Sequence, residues 1–349
     1  MATATTNATP GPKVNRIGLP IIEYRGGKST LCAGCGHNAI SERIIDAMYE
    51  MGVEPERVMK MSGIGCSSKS PAYFMSRSHS FNSVHGRMPS VSTGAILANH
   101  QNMLLGVSGD GDTASIGFGQ FAHAMRRGVN MVYIVENNGV YGLTKGQFSA
   151  TADRGSKSKR GVTNTDNSID LVAMALQLGA TFVARSFSGD KIQMVPLIKA
   201  AIEHEGAAFI DIISPCVAFN NHLGSTKSFD YVREHNESVN RLDFITGRAP
   251  ITVAYEPGTV EVVEQHDGSK LVLKKVAADY DPHDRLGAMS FLQRHAAVGQ
   301  IVTGLLYVDR EPEDLHRNFN TVEAPLNSLA EAELCPGAAT LAKINASLR

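Results

Sequence analysis

Two cysteines lie three positions apart in the stretch LCAGCGH, at Cys32 and Cys35, with a glycine on either side of the second. Further along the chain, Cys66 in GIGCSSK and Cys216 in SPCVAFNNH could complete a set of four thiolates. Four thiolates can hold a zinc ion in a tetrahedron, and they suit a cubane iron–sulfur cluster equally well. A thioredoxin-like dithiol is less favoured, because Cys32 follows the polar stretch YRGGKST and not a strand. The spacing of the cysteines therefore leaves zinc and iron–sulfur chemistry open.

Oxygen ligands are grouped in two other stretches, SGDGD at Ser108–Asp112 and ENNGVYGLTKGQ at Glu136–Gln147. Asp110 follows an apolar run, and Gly111 lets the backbone come close at the mouth of a helix, whose amino end favours phosphate. Asn138 ends the next apolar run and offers a side-chain oxygen. With a nearby backbone carbonyl this set suits Mg²⁺, and diphosphate oxygens would complete the octahedron. A tight turn is the alternative interpretation of Gly-Asp-Gly by itself.

Alternating strands and helices must position these residues. Short apolar runs predict buried strands, and apolar residues at helical spacing predict helices. The predicted strands are Asn102–Asp110, Asn130–Asn138, Thr181–Phe187 and Ala207–Ser214. The predicted helices are Ile116–Gly128, Ser168–Ala180 with Ser168 as its N-cap, and Lys191–Gly206. The alternation predicts a parallel sheet covered by helices on both faces, with ligand sites at the carboxyl ends of the strands.

The sequence pattern changes beyond about Asp230. Two alternating runs in Thr259–Val276, around Asp267 and Gly268, predict a β-hairpin. One helix is predicted near Asp284–Gly299, and the remainder is expected to form loops. This part of the chain is therefore expected to be a C-terminal extension of the parallel sheet.

The composition is that of an ordinary globular protein, with 349 residues, 43% apolar residues, 19% charged residues and a formal net charge of -1. A near-neutral balance does not favour nucleic acid or a membrane surface as partner, and no apolar run is long enough to span a bilayer. The start, MATATTNATPGP, is not a secretory signal and is expected to be a disordered tail. Five cysteines in so long a chain do not form a disulfide framework, so we expect a cytoplasmic protein that uses its close cysteine pair for metal or redox chemistry.

The motifs together resemble a known enzyme family. Gly-Asp-Gly followed by Asn-Asn is similar to the diphosphate-binding motif of thiamine-diphosphate enzymes. The order CAGCGH, SGIGCSS, HGR, GDG, NNGVYGLTKGQ and a fourth cysteine after a strand resembles the β subunit of 2-oxoacid:ferredoxin oxidoreductases, most of all the 2-oxoglutarate enzyme. The resemblance covers roughly Leu31 to Asp230, and the last third fits the β subunit only in outline.

The resemblance implies a fold and a set of cofactors. The fold is α/β, a thiamine-diphosphate-binding parallel sheet flanked by helices. It divides the chain into a tail and lead-in at 1–30, a thiamine diphosphate and iron–sulfur domain at 31–230, and an extension at 231–349 that makes subunit contacts. The implied cofactors are thiamine diphosphate, Mg²⁺ and one 4Fe–4S cluster, with coenzyme A as co-substrate. Cys335 is left over and is expected to be a free thiol near a surface loop.

The resemblance also implies residue roles. The four-iron ligands are Cys32, Cys35, Cys66 and Cys216, and the Mg²⁺ ligands are Asp110, Asn138 and the Val140 carbonyl. Residues expected to bind the thiamine cofactor are Gly65, Ser67, His85, Gly109, Asp110, Gly111, Asp112, Asn138, Val140, Tyr141, Gly142, Leu143 and Thr144. Residues expected to be catalytic are His85, Lys69 and Lys145. The two lysines would meet the second carboxylate of 2-oxoglutarate, because burying that charge without a partner costs several kcal/mol.

The implied activity is oxidative decarboxylation of 2-oxoglutarate to succinyl-CoA and CO₂, with single electrons passing through the cluster to ferredoxin. An α subunit is expected to supply the activating Glu, in an (αβ)₂ heterotetramer. Three alternatives stay open: the same chemistry on pyruvate or another 2-oxoacid, a thiamine-dependent decarboxylase that does not use ferredoxin, and a zinc-stabilised binding module. The first two alternatives also account for the diphosphate motif. The zinc-stabilised module accounts for the cysteines but not for that motif.

Overall fold

Our computed structural model describes residues 13–158, 161–219, 249–266 and 268–349. Three sequence predictions lie outside these ranges: the tail at residues 1–12, the domain boundary near Asp230, and Asp267 in the hairpin turn. Within the described ranges, no helix is both long and apolar enough to cross a bilayer.

Within the described ranges, nine strands form one mixed sheet. In chain order its strands are β1 (Val58–Ser62), β2 (His79–Asn82), β3 (Met103–Gly109), β4 (Met131–Asn137), β7 (Phe182–Phe187), β8 (Ala207–Ile213), β9 (Val260–Glu264), β10 (Lys270–Lys275) and β11 (Ile301–Val308). Their spatial order is β2-β1-β3-β4-β8-β7-β11-β10-β9. The six from β2 to β7 are mutually parallel, which confirms the predicted parallel sheet. A separate two-stranded ribbon joins β5 (Val140–Tyr141) to β6 (Gln147–Phe148).

Helices cover both faces of this sheet. They are α1 (Gly36–Met51), α2 (Met88–Ala98), α3 (Phe118–Arg126), α4 (Leu171–Gln177), α5 (Lys191–Glu203), α6 (Arg285–Ala296), α7 (Leu315–Phe319), α8 (Glu331–Leu334) and α9 (Gly337–Ser347). One apolar layer packs α1 and α5 against side chains such as Ile134 and Ile210. The other packs α2, α3, α4 and α6 against Val135, Phe209 and their neighbours. Because both faces are buried, the central strands appear in the sequence as continuous apolar runs. These runs are the pattern from which the strands are predicted.

The C-terminal part is more regular than predicted. The hairpin is confirmed, since β9 and β10 are antiparallel, and so is the helix now labelled α6. The expectation that the remainder would be loops is wrong: β11 pairs antiparallel with β7 and parallel with β10, and α7, α8 and α9 follow. The alternation of β11 is interrupted by Gly304, at φ +125, and by a register shift between Leu305 and Tyr307. The sequence therefore lacks the regular pattern from which this strand could be predicted. Part of the predicted extension thus continues the main sheet.

The predicted N-cap of α4 is also wrong. Asp170, not Ser168, caps this helix, and its carboxylate accepts the amide hydrogens of Val172 and Ala173. The Ile169 amide donates to the Ala150 carbonyl (2.7 Å), which holds the preceding residues out of the helix. A carboxylate at this end also favours the positive helix terminus.

Lys60 of β1 holds the segment that follows that strand. Its side chain is buried, and Nζ donates to the carbonyls of Pro71 (2.7 Å), Phe74 (2.7 Å) and Met75 (2.9 Å). Burial lowers the pKa of Lys60 to about 8. Met75 has a left-handed backbone (φ +48), so this chain turn needs the anchor that the lysine provides.

Replacing Lys60 by Met should lower the free energy of unfolding by about 3 kcal/mol, because three buried carbonyls lose their donor. Urea denaturation followed by circular dichroism measures this loss. Lys199→Met is the matched control, because the pair of Lys199 with Glu50 is largely exposed and should contribute less than about 1 kcal/mol. Equal losses in the two variants would contradict the anchoring role of Lys60.

Candidate active site

The carboxyl ends of β3 and β4 bring the two predicted oxygen-ligand groups together. These strands are neighbours in the sheet, and each is followed directly by one of the residues concerned, Asp110 or Asn138. The Asn138 amide donates to Asp110 Oδ1 at 3.1 Å. The Asn138 side-chain oxygen accepts the Val140 amide hydrogen (3.0 Å), which fixes the turn beyond β4. The structure therefore brings Asp110 and Asn138 together.

Asp110 is a buried carboxylate whose contacts are hydrogen bonds. Its side chain is 1% exposed, and Oδ2 accepts hydroxyl hydrogens from Ser149 and from Thr151 (2.7 Å). Burial raises the pKa of Asp110, and the donors from Ser149, Thr151 and Asn138 oppose that rise. Among the described residues, no Lys, Arg or His forms an ion pair with Asp110. A divalent cation fits here, because it would supply the charge that this buried carboxylate needs.

Asp112 organises a different turn. Its Oδ1 accepts the Gly86 amide hydrogen (2.7 Å), and its Oδ2 accepts the Ser108 hydroxyl hydrogen (3.0 Å). The carboxylate fills the space beside Gly63, where a Cβ atom would lie 1.8 Å from Oδ2. Asp112 thus joins the ends of β1 and β3 to the turn that carries His85.

Glycines let these turns approach one another. Gly111 lies against the ring of Tyr141, where a Cβ atom would come within 2.5 Å of a ring carbon, and the Tyr141 hydroxyl donates to the Gly111 carbonyl (3.2 Å). At Gly109, a Cβ atom would be 2.8 Å from Ser67 Oγ. Gly65 has φ +98 and faces open space. Five predicted cofactor residues thus lie at one edge of the sheet, around the start of the Gly111–Ile116 helical turn.

The four predicted cysteine ligands line one recess beside this edge. The recess holds about 380 Å³ of atom-free space, part of it open to solvent. Its wall includes Cys32, Cys35, Cys66 and Cys216, with Lys69, Asn138 and Gly142. A Cβ atom on Gly142 would lie 3.4 Å from Cys66 Sγ and 3.7 Å from Cys216 Sγ. The structure therefore brings together all four cysteines, whereas Cys335 lies exposed on the surface.

The thiols of this recess lie in a low-dielectric setting. Burial, together with the neighbouring Cys216, raises the pKa of Cys66 to about 11. The pKa of Cys35 is also raised by burial and then by Cys216. Within the described ranges, no group of three or more His, Cys, Asp or Glu side chains closes around a point where one ion would lie. The four cysteines line the wall of one recess, and a set of thiolates there suits a zinc ion or an iron–sulfur cluster.

Sequence reasoning missed a buried hydrogen-bonded group between the recess and the sheet. Glu136 is fully buried, and both of its oxygens accept the Ser70 hydroxyl (2.9 and 2.8 Å). His37 Nδ1 lies 2.6 Å from Ser214 Oγ and 3.7 Å from Glu136 Oε2. Burial raises the pKa of Glu136 well above its usual value and lowers that of His37 to about 4. A glutamate ending the apolar run MVYIVE was the available signal, because a charge in a buried strand needs a partner.

The remaining predicted residues lie around the edge of the site. Lys69 lines the recess and is half-buried. Lys145 is exposed on the turn between β5 and β6 and has φ +82, which is strained for a residue with a side chain. Leu143 and Thr144 on the same turn are exposed, and the Thr144 hydroxyl donates to Gln147 Oε1 (2.6 Å). His85 is exposed on the turn held by Asp112.

Comparison with known proteins agrees with this geometry. Residues 63–212 match the thiamine pyrophosphate enzyme C-terminal TPP-binding domain family. The chain is 36% identical over 214 residues to the 2-oxoglutarate synthase subunit KorB of Methanocaldococcus jannaschii, covering 61% of this chain and 78% of that protein. The chain belongs to the 2-oxoacid:ferredoxin oxidoreductase β-subunit family.

Other members of this family show the extent of the match. The chain is 42% identical over 191 residues to the 2-oxoacid:ferredoxin oxidoreductase subunit beta of a Sulfolobus species, covering 54% of this chain and 63% of the relative. It is 38% identical over 204 residues to 2-oxoglutarate oxidoreductase subunit KorB of Mycobacterium tuberculosis, covering 58% and 53%. The matched part thus spans between half and two thirds of the length of these two β subunits.

A solved structure is also similar to this β subunit. It is the 2-oxoglutarate:ferredoxin oxidoreductase from Magnetococcus marinus with 2-oxoglutarate, coenzyme A and succinyl-CoA bound. The TM-score is 0.69 at 29% identity, and the match covers 90% of this chain and 94% of that chain. The likeness therefore extends beyond the part that resembles the family by sequence motifs.

Replacing Gly63 by Ala should lower the free energy of unfolding by about 2 kcal/mol, because the new Cβ atom would displace the Asp112 carboxylate from its two donors. Thermal unfolding measures the loss. Gly119→Ala is the matched control, since Gly119 lies in α3 with nothing within 4 Å of a Cβ atom and should gain up to about 1 kcal/mol. A Gly63→Ala variant as stable as this control would contradict the tight fit of Asp112.

Proposed function

We propose that this chain is the β subunit of a coenzyme A-dependent 2-oxoglutarate:ferredoxin oxidoreductase. In the proposed reaction the bond to the carboxylate carbon breaks, CO₂ leaves, the remaining acyl group forms succinyl-CoA, and two electrons pass singly to ferredoxin. The observation that carries the proposal is the shared recess, where the four cysteines and Asn138 lie in one wall. A redox group and a diphosphate-bound cofactor would then be neighbours, as single-electron transfer between them requires.

The carboxyl edge of the sheet is suited to hold Mg²⁺ and thiamine diphosphate. Asp110, Asn138 and the Val140 carbonyl would supply three oxygens to the ion, and the buried charge of Asp110 supports this assignment. The amide groups at the start of the Gly111–Ile116 turn would bind phosphate oxygens. When bound, thiamine diphosphate supplies the electron sink for decarboxylation. The residues of this chain hold the cofactor and its metal in place.

The four cysteines would hold one 4Fe–4S cluster. All four line the same recess, and burial favours neutral thiols until a cationic centre replaces their protons. The Glu136, His37, Ser70 and Ser214 group links the strands to all three segments that carry these cysteines. We infer that it keeps the cluster ligands fixed relative to Asn138.

The proposed substrate is 2-oxoglutarate, and its second carboxylate would meet Lys69 and Lys145. Lys69 already lines the recess. Lys145 lies on the turn just beyond Gly142, a recess residue, and is exposed. The binding of 2-oxoglutarate, coenzyme A and succinyl-CoA by the Magnetococcus enzyme supports the same chemistry here.

An α subunit is the proposed partner, and it would supply the Glu that activates the cofactor. The relatives are named as subunits, which supports a complex. Strand β2 is exposed at all four residues, although a parallel strand is normally covered on both faces. Phe81, Val84 and Ile116 near this edge are 52%, 71% and 43% exposed, so a partner that covers them would bury apolar surface. We infer an (αβ)₂ complex that meets ferredoxin in the cytoplasm.

Removal of any cluster ligand tests the redox assignment. Cys32→Ala, Cys35→Ala, Cys66→Ala or Cys216→Ala should each abolish the visible chromophore, iron and acid-labile sulfide of the anaerobically purified complex. Cys335→Ala is the control and should retain all three. Zinc without sulfide in the wild type would identify a zinc site, and a colourless Cys335→Ala beside a coloured Cys216→Ala would overturn the ligand set.

Removal of either lysine tests the substrate. Lys145→Gly, whose backbone suits φ +82, and Lys69→Ala should each lower kcat/KM for 2-oxoglutarate at least tenfold, or about 1.4 kcal/mol of transition-state binding. Activity on pyruvate or 2-oxobutyrate should fall much less, because those substrates lack the second carboxylate.

The exposed Lys343→Ala variant is the control for a general effect of lost charge. Equal losses on all three substrates would assign the lysines to the cofactor or the fold. A wild-type complex that prefers pyruvate would overturn the choice of 2-oxoglutarate.

A further inference from the structure

A chain of hydrogen-bonded polar side chains leads away from the proposed metal site to the start of α4. We name it the Asp110–Asp170 network, and its members in order of contact are Asp110, Thr151, Asn137, Asp211, Arg185 and Asp170. Thr151 Oγ1 lies 2.7 Å from Asp110 Oδ2 and 3.1 Å from Asn137 Oδ1. The far end joins Asp211, Arg185 and Asp170 by ion pairs. Of these residues, the proposed metal site uses Asp110 alone.

The sheet explains why the middle members meet. Arg185 and Asp211 lie directly opposite each other in the register of β7 and β8. Asp211 pairs with Val135 of β4, two residues before Asn137, so Asn137 and Asp211 share one face of the sheet. Asp211 and Arg185 are 2% and 7% exposed, so the contact between them excludes water. Their geometry is therefore fixed by the strands and not by flexible loops.

Donors and acceptors fix the direction of the network. A carboxylate only accepts, so the Asn137 amide group donates from Nδ2 to Asp211 Oδ1 (3.0 Å) and turns its oxygen toward Thr151. Thr151 has one hydroxyl hydrogen, which its two acceptors share, and the nearer of these is the Asp110 carboxylate, which forms the stronger bond. With the Ser149 hydroxyl, Oδ2 of Asp110 then receives two donors. Oδ1 accepts the backbone amide hydrogen of Asn138 and keeps a lone pair for a cation.

The charges of the network also favour a cation at Asp110. The network contains three carboxylates and one guanidinium, and Arg185 is shared by the two carboxylates at the far end. Burial raises the pKa of Asp211, and Arg185 and Asn137 oppose this rise. Asp110, at the other end, has hydrogen bonds but no ion pair among the described residues. A cation at Asp110 would complete the charge balance of the network.

We propose that Thr151 and Asp211 are positioning residues for the metal-ligand carboxylate. Asp211 orients Asn137, Asn137 and Asp110 hold the Thr151 hydroxyl between them, and Thr151 with Ser149 keeps Oδ2 occupied so that Oδ1 is left to the metal. This inference rests on the proposed Mg²⁺ and diphosphate site. It assigns part of the Mg²⁺ affinity to side chains that would not touch the ion.

The Mg²⁺ dependence of cofactor retention tests the proposal without an activity assay. The complex is gel-filtered at a series of Mg²⁺ concentrations, and the thiamine diphosphate retained is measured. Thr151→Val should raise the half-saturating Mg²⁺ concentration about tenfold, because one charge-assisted hydrogen bond is lost. Thr151→Ser, which keeps the hydroxyl, should stay within about twofold of wild type. Asp211→Asn should raise the half-saturating Mg²⁺ concentration about threefold. The double variant Asp211→Asn/Thr151→Val should have nearly the same value as Thr151→Val, because both substitutions act through one contact.

Controls separate positioning from general destabilisation. Thr181→Val removes another buried hydroxyl, which contacts His204 at the opposite end of β7, and it should leave the Mg²⁺ dependence unchanged. A wild-type Mg²⁺ dependence in Thr151→Val, or an equal shift in Thr181→Val, would overturn the inference. If the Thr151→Val variant does not accumulate, Ser149→Ala serves instead, because it removes the other hydroxyl donor to Asp110 Oδ2. An unchanged Mg²⁺ dependence in Ser149→Ala would also overturn the inference. Asp110→Ala should abolish retention, and wild-type retention in that variant would overturn the proposed metal site itself.

Discussion

Burial of carboxylates at the carboxyl edge of the parallel strands is the constraint on which the rest of the site depends. A carboxylate out of water costs several kcal/mol unless donors surround it. Asp110, Asp112 and Glu136 lie at this edge, and each collects its donors from a different segment. Asp110 accepts hydrogen bonds from the loop beyond β6, and Asp112 accepts one from the turn that carries His85. Glu136 accepts a hydrogen bond from the turn beyond Cys66. The loops are therefore held by the same buried carboxyl groups that make the edge suitable for a cation.

Close backbone contacts set the other limit on the site. Gly36 begins α1 so near Ser214 and Ser188 that a Cβ atom would lie 2.5 and 2.7 Å from their hydroxyl oxygens. Gly142 lies beside two of the cysteine sulfurs. The cysteine recess and the oxygen-ligand edge can share a wall because glycine stands where their backbones meet. This arrangement explains why the two chemistries of the sequence converge in the structure.

Much of this could be predicted from the sequence, and the exceptions have physical causes. The central strands were predictable because burial on both faces makes them apolar throughout, and Asp110 and Asn138 had to meet because neighbouring parallel strands end at one edge. The cap of α4 was missed because Arg185, distant in sequence, selects Asp170 over Ser168. Strand β11 was missed because Gly304 and a register shift break its period. The contacts of His37 and Thr151 join segments distant in sequence, and no local pattern signals them.

The position of Cys216 has a consequence for the order in which the protein matures. The first two recess cysteines precede α1, the third follows β1, and Cys216 comes only after β8, which pairs with β4 in the middle of the sheet. Bringing Cys216 to Cys32 closes a long loop, and contacts of such sequence separation form late in folding. A group held by all four sulfurs therefore has no complete binding site on a nascent chain until the six parallel strands have been synthesised and paired. Insertion of the bound group would therefore show that the sheet has formed. A nascent chain that stopped before β8 would expose three of the thiols without the fourth.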